Sequence, residues 1–181
     1  MYSKGIFHAL DAFEKLADEY PNIRLHIAGE IHADKNMTKS ETENLFFKKF
    51  NLIKDRFAGR INYYGVVRNK EKKELFEKCD ILLFPTFYKA EASPLVNIEA
   101  MRAGLAIIST DHNLISNVIS KDEGVLVEPD NLQALITGMK SLLDDKIKMQ
   151  NMQQHNIIHA KKNYSPEIFV EKMLNVLTAN K

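Results

Sequence analysis

Two glutamates stand out by their setting. Glu91 lies in the polar stretch Lys89-Ala90-Glu91-Ala92, and Glu99 follows after seven intervening residues. Glu99 sits among Val96, Ile98, Ala100 and Met101. A carboxylate in such apolar company needs hydrogen-bond donors, and sugar or ribose hydroxyls can supply them. Between the two glutamates, Ser93-Pro94 has the form of a helix start, with Ser as N-cap and Pro in the first turn. The amides of Leu95 and Val96 would then lack helical partners. Together with the helix dipole they make an anion site suited to a diphosphate. No His, Cys and Asp cluster shows metal-ligand spacing, so neither glutamate reads as a metal ligand. Two glutamates at this separation arise by chance in many acidic chains, so the surrounding elements must decide.

Those elements alternate. Ile6, Leu10, Phe13, Ala17 and Tyr20 form one helical stripe that Pro21 ends. Ile23, Leu25 and Ile27 alternate with Arg24 and His26, as in a strand stopping at Gly29. Residues 30–40 read as a loop, and Leu45, Phe46, Phe50 and Ile53 as a helix. Ile61, Tyr63 and Gly65 suggest a short strand, and Lys70–Lys78 a charged helix with Leu75 and Phe76 inward. Ile81–Pro85, Leu105–Ile108 and, more weakly, Gly124–Val127 are apolar runs of the kind covered on both faces. Pro94–Ala103 reads as a buried helix. Three amphipathic helices follow near 131–144, 146–162 and 166–178, the last opened by Ser165-Pro166-Glu167. This alternation predicts one α/β domain over 1–181, a Rossmann-like, doubly wound parallel sheet with helices on both faces. In such sheets ligands sit beyond the C-terminal strand ends. The segment Pro85–Glu99 falls there.

Composition bounds the partners. The 25 basic and 24 acidic residues nearly cancel, so no general field for polyanions exists and a nucleic-acid partner is not indicated. The single cysteine, Cys79, cannot form an internal disulfide and reads as a buried thiol. No apolar run approaches the ~20 residues of a membrane helix.

The segment Phe84-Pro85-Thr86-Phe87-Tyr88, followed by Glu91-Ala92-Ser93-Pro94-Leu95-Val96-Asn97-Ile98-Glu99-Ala100-Met101, resembles the Glu-x7-Glu signature of retaining GT-B glycosyltransferases of family 4. Lys4-Gly5, Leu25–Gly29, Ile61–Gly65, Cys79-Asp80-Ile81 and Glu123–Pro129 resemble further family segments in the family's order, across essentially the whole chain. The resemblance implies the donor-binding, C-terminal half of a GT-B fold. It implies that Glu91 contacts donor-sugar hydroxyls and Glu99 the ribose. It implies that the helix start from Pro94 through Leu95, Val96 and Asn97 holds the diphosphate, and that Lys4 neutralises the leaving phosphate. Backbone at Gly65, Val66, Val67 and Arg68 would meet the base. Without the resemblance Lys4 reads as a solvated lysine.

The chain departs from the family pattern in places. The family's arginine a few residues before the lysine has no counterpart here. Asp111–Asn117 replaces the usual Gly-Gly turn and Glu, and His112 there is a weak ligand candidate. The resemblance further implies a nucleotide-sugar donor, most simply a UDP-sugar, transferred with retention and without a cofactor or required metal. The acceptor, a sugar or lipid-linked glycan, would come from an N-terminal domain that these 181 residues do not include. Peripheral membrane association would run through that domain, at the inner face of the membrane of an otherwise cytoplasmic protein. The helix from Pro166 would lean towards it. The signature's style is that of bacterial enzymes building O-antigen or capsule. Other readings stay open: an epimerase or phosphorylase of the same fold, or a non-catalytic regulatory α/β domain. The last would need acidic residues at strand ends, whereas Asp80 stands at a strand start.

Overall fold

A computed structural model describes residues 2–33 and 37–178. The middle of the expected 30–40 loop, residues 34–36, lies outside them. The chain opens with a 3-10 turn at Tyr2–Lys4, followed by α1 (Ile6–Leu16) and β1 (Leu25–Ile27). Next come α2 (Lys39–Arg56), β2 (Ile61–Tyr63), α3 (Asn69–Phe76), β3 (Ile81–Phe84) and α4 (Leu95–Ala103). After β4 (Ala106–Thr110) and β5 (Gly124–Val127) the chain ends in α5 (Leu132–Leu143), α6 (Lys146–Asn163) and α7 (Pro166–Thr178).

The fold class is α/β, with parallel strands and helices packed on both faces. The strands do not join into one sheet. Among the described residues β1 pairs with β2 alone, and β3, β4 and β5 form a second sheet, each of these pairings parallel. Helix α1 spans both. Its Phe7, Leu10 and Phe13 pack with Ile27, Phe46, Phe50 and Ile61. Its Ala12 and Leu16 pack with Ala106, Ile108, Val127 and Leu135. A third core joins Ala100 and Met101 of α4 to Ile107, Ile115, Ile119 and Ala160.

Several expectations change. β4 is buried at every position as its sequence predicts, but Ile81–Phe84 of β3 is only half-buried. Its inner edge faces a cleft rather than another strand. For the same reason Leu75 and Phe76 of α3 are half-buried and α3 has no buried residue. α1 stops at Leu16, four residues short of Tyr20, and turns lead on to Pro21. Helix α4 buries one face, Asn97, Ala100 and Met101, while Leu95 is 71% exposed. The final helix starts as expected, with Ser165 Oγ accepting from the Ile168 amide at 3.4 Å. No residue of α7 is buried. Cys79 is half-buried rather than enclosed, and burial pushes its thiol pKa up. No helix among the described residues is long and apolar enough to cross a membrane.

Candidate functional site

The Lys4-Gly5 pair has a steric basis. Gly5 holds a left-handed φ of 74°, and a Cβ there would stand 2.0 Å from the Pro85 carbonyl oxygen. Only glycine lets the start of α1 press against the end of β3. The contact carries Lys4 to Glu91, and Lys4 Nζ donates to Glu91 Oε2 at 2.5 Å. Lys4 Nζ also lies 4.7 Å from the Tyr88 ring centroid. The Glu91 side chain is only 12% exposed, and Thr86 Oγ1 donates to the same carboxylate oxygen at 3.4 Å. Lys4 is therefore not a freely solvated lysine.

The turn that carries Glu91 is held from outside. Asn113 Nδ2 donates to the carbonyls of Lys89 and Glu91, at 3.0 and 2.7 Å. His112 Nε2 lies 3.1 Å from the Tyr88 carbonyl, so the histidine braces the loop. Asn113 adopts φ 51°, a conformation that asparagine tolerates better than most residues. Asn113 was not among the expected site residues. Its signal was the non-glycine Asp-His-Asn turn where the family pattern has two glycines.

Beyond Glu91 the chain enters α4, and here the expected cap is corrected. Pro94, not Ser93, is the N-cap, and no side chain caps the helix. Proline fixes φ near its observed −67°, and the helix begins at Leu95. The Leu95 and Val96 amides remain first-turn groups without intrahelical acceptors. The Asn97 amide turns back to the Pro94 carbonyl at 3.1 Å. Asn97 is fully buried, and neither its Nδ2 nor its Oδ1 has a partner among the described residues. An unsatisfied buried amide in a helix's first turn is costly unless something binds there.

Glu99 differs most from expectation. It is not enclosed by apolar neighbours; its side chain is 42% exposed and its carboxylate meets the Lys72 ammonium from α3. Its helical position, rather than its sequence neighbours, decides its surroundings: it points across to α3. Glu99 and Lys72 line a cavity of about 790 Å³ with Val67, Arg68 and Arg102. The loop after Gly65 thus shares a cavity with Glu99. Gly65 itself has φ 63°, the left-handed turn that ends the run from β2, and Val66 is exposed. On the other side, Lys4, Tyr88, Gly29 and Pro85 line a cavity of about 560 Å³ at the strand ends. The candidate positions lie around the C-terminal ends of β1, β2 and β3. Lys4 and Glu91 are in direct contact, whereas Glu99 belongs to a separate lobe near Val67.

One cluster was missed. His155 and His159, one helical turn apart on α6, both meet Glu123, with Nε2 and Nδ1 at 2.7 and 3.1 Å from Oε1. These three groups could hold a metal by proximity. They also form a satisfied network that ties α6 to the 120–124 turn, with the Ser120 amide donating to Glu123 Oε2 at 2.9 Å. Burial pushes the Glu123 carboxyl up, but hydrogen bonds from Ser120 and His155 outweigh it and hold the pKa below its ordinary value.

The family model described as "Glycosyl transferases group 1" matches residues 1–163, and the chain belongs to that family. It is 26% identical over 149 residues to a phosphatidyl-myo-inositol mannosyltransferase of Mycobacterium tuberculosis, covering 80% of this chain and 35% of that protein. The chain thus spans about a third of the length of the curated relatives it matches. Its fold is that of the C-terminal domain of a Francisella tularensis group 1 glycosyl transferase, with TM-score 0.76 and 20% identity over 92% of this chain and 82% of that one. It also matches Anabaena HepE in complex with UDP, with TM-score 0.82 and 15% identity over 99% of this chain and 46% of that one.

Proposed function

We propose that this chain is the donor-binding half of a retaining, metal-independent glycosyltransferase, and that its donor is a UDP-sugar. The observation that supports this best is the joining of Lys4 and Glu91 at the mouth of α4. A cation, a carboxylate and a helix N-terminus at one strand end suit a sugar diphosphate. The Leu95 and Val96 amides hold the diphosphate, and the Asn97 amide group gains a partner. Val66, Val67 and Arg68 meet the base, and Glu99 exchanges Lys72 for the ribose hydroxyls.

The chemistry follows from charge. The bond between the anomeric carbon and the phosphate oxygen breaks, and its electron pair leaves on the diphosphate. Lys4 and the α4 amides stabilise that growing negative charge. The acceptor hydroxyl forms the new bond on the same face, and its proton passes to the departing diphosphate oxygen. Glu91 orients the donor sugar through its hydroxyls. Fixed donors aimed at charge that develops during reaction supply much of the rate.

The acceptor site belongs to a second domain of a longer protein, with these residues as one donor-binding domain. UDP in the HepE structure and the style of the signature support a UDP-sugar and a role in bacterial surface-polysaccharide synthesis in the cytoplasm, at the inner membrane face. The exposed apolar residues of α7, Phe169 and Leu174 among them, suit contact with that second domain. A thermal-shift screen with UDP, GDP and ADP and their glucose conjugates tests the reading, because a ligand that binds only the folded state raises its melting temperature. UDP compounds should give the largest rise. No rise with any of them would overturn it.

A further inference from the structure

The cluster around Glu123 has the composition and the convergence of a transition-metal site. Helix α6 carries His155 and His159 one turn apart, which sets two imidazoles on one face. Their ring centroids are 5.5 Å apart. His155 Nε2 and His159 Nδ1 both lie against one carboxylate oxygen, Glu123 Oε1, and the three ligand atoms fall within 4.8 Å of one another. Tetrahedral bonds of about 2.0–2.2 Å to nitrogen and oxygen hold ligand atoms roughly 3.3–3.6 Å apart. An ion entering between these three needs only a small outward movement of each side chain.

Two features separate this cluster from a chance surface contact. The first is that the carboxylate is oriented before any ion arrives. The Glu123 side chain is only 6% exposed, and the Ser120 amide donates to its Oε2 at 2.9 Å. Oε1 is thereby turned to the imidazoles. An outer hydrogen bond of this kind orients a metal ligand and tunes its affinity. The second feature is that the two supporting elements are locked together. Asn156, fully buried on α6, donates through Nδ2 to the Glu123 carbonyl at 3.0 Å and to the Leu105 carbonyl at 2.8 Å. The backbone positions of all three ligands are thus set independently of their side chains. His155 also borders an open cavity of about 500 Å³ with Asp122, Asp145 and Met152, which gives an ion a way in and leaves room for water as a fourth ligand.

We propose that Glu123, His155 and His159 bind a zinc ion, with water in the fourth position. Two imidazoles and one carboxylate suit a borderline cation such as zinc, whereas magnesium and calcium take oxygen ligands. Each imidazole binds as the neutral base, so His155 keeps its proton on Nδ1 and His159 on Nε2. Protons on the nitrogens that face Glu123 pass to solvent. Glu123 stands just before β5, at the N-terminal end of a parallel sheet, whereas Glu91 follows the C-terminal end of β3. The zinc therefore takes no part in chemistry at Glu91. It clamps α6 to the 120–124 turn. This inference does not depend on the nucleotide reading.

The test uses the 181-residue chain, freed of metal with a chelator and then titrated with the chloride of zinc, magnesium or calcium. Zinc should bind at one ion per chain and raise the melting temperature, as a ligand of the folded state does. Magnesium and calcium should leave it unchanged. His155→Gln and His159→Gln, whose new amides can still donate to Glu123, should each bind zinc at least about tenfold more weakly. The double variant should show no zinc-induced melting shift. His32→Gln, at an exposed histidine beside Glu30, should bind zinc as the parent chain does. In the parent chain the imidazole nitrogen resonances of His155 and His159 should move together and saturate at one equivalent, a readout that needs no variant to fold. Zinc binding that survives in the double variant, that is lost in His32→Gln, or that leaves both imidazole resonances unmoved assigns an adventitious ion only and overturns the proposal. An unchanged melting temperature in excess zinc overturns it too.

Discussion

Lys4 Nζ and Glu91 Oε2 stand 2.5 Å apart although 87 positions separate them in the chain. The pair joins the start of α1 to the loop after β3, and it depends on Gly5 lying flat against Pro85. In the unliganded state each charge is neutralised by the other. On the proposed reading, a diphosphate that draws Lys4 away would free the Glu91 carboxylate for sugar hydroxyls. One ion pair can thus couple phosphate binding to readiness of the sugar site.

Gly5→Ala should be strongly destabilising, by about 2–4 kcal/mol, from left-handed strain together with a backbone clash. Chemical denaturation measures it. A loss smaller than about 1 kcal/mol would show that Gly5 does not set this contact.

Glu99→Ala should weaken UDP binding by about 1–3 kcal/mol, the loss of hydrogen bonds to ribose hydroxyls. Glu91→Ala should not weaken UDP binding, since it releases Lys4 for the diphosphate, and should lower turnover in the longer protein. Calorimetry on both variants separates the roles. Equal losses of UDP affinity would contradict them.

Asn113→Ala removes both bonds to the 89–91 turn while keeping Glu91 in place chemically. Faster amide exchange at Glu91 and weaker UDP-sugar binding, with UDP binding retained, are expected. Unaltered exchange at Glu91 would mean that the turn holds itself.

The Glu123 carboxyl, held below its ordinary 4.5, makes part of the stability pH-dependent. It contacts His155 and His159, and its charge acts on the nearby Tyr164. A depressed carboxylate contributes above its unfolded pKa and loses that contribution as pH falls through the folded one. Stability should therefore decline below about pH 4.5 more steeply in this chain than in Glu123→Gln, as denaturation across pH 3–6 would show. Identical slopes would remove Glu123 from the acid transition.

The alternation of elements was legible in the sequence because helical stripes such as Ile6, Leu10 and Phe13 and strand runs such as Ala106–Ile108 carry distinct periods. The last three helices matched within a residue or two, since Asn131, Asp145 and Ser165 each place a side-chain oxygen at a helix start. The divided sheet was not legible, because pairing depends on which strands lie side by side. Glu99 misled for a related reason. Its sequence neighbours are apolar, but on a helix the neighbour that counts lies across the groove, here Lys72. Lys4 and Glu91 could be matched to a family motif, yet their contact rests on a tertiary approach that spacing does not encode. The Glu123 network was invisible for the same reason, whereas Asn113 was signalled by the non-glycine turn in which it stands.

The 181 residues alone should bind donor without transferring its sugar, since transfer needs an acceptor hydroxyl positioned in a closed cleft. Transfer assays with UDP-sugars and free or lipid-linked sugar acceptors, run beside the longer protein, measure this. Robust transfer by this chain would locate an acceptor site within it.

The central claim is the location of the nucleotide, and a titration of 15N-labelled protein with UDP tests it most directly. The largest chemical-shift changes should fall at Leu95, Val96 and Asn97 and at residues 65–68, with smaller changes at Glu99 and Lys4. Changes confined to other surfaces, or none at millimolar UDP, would contradict it.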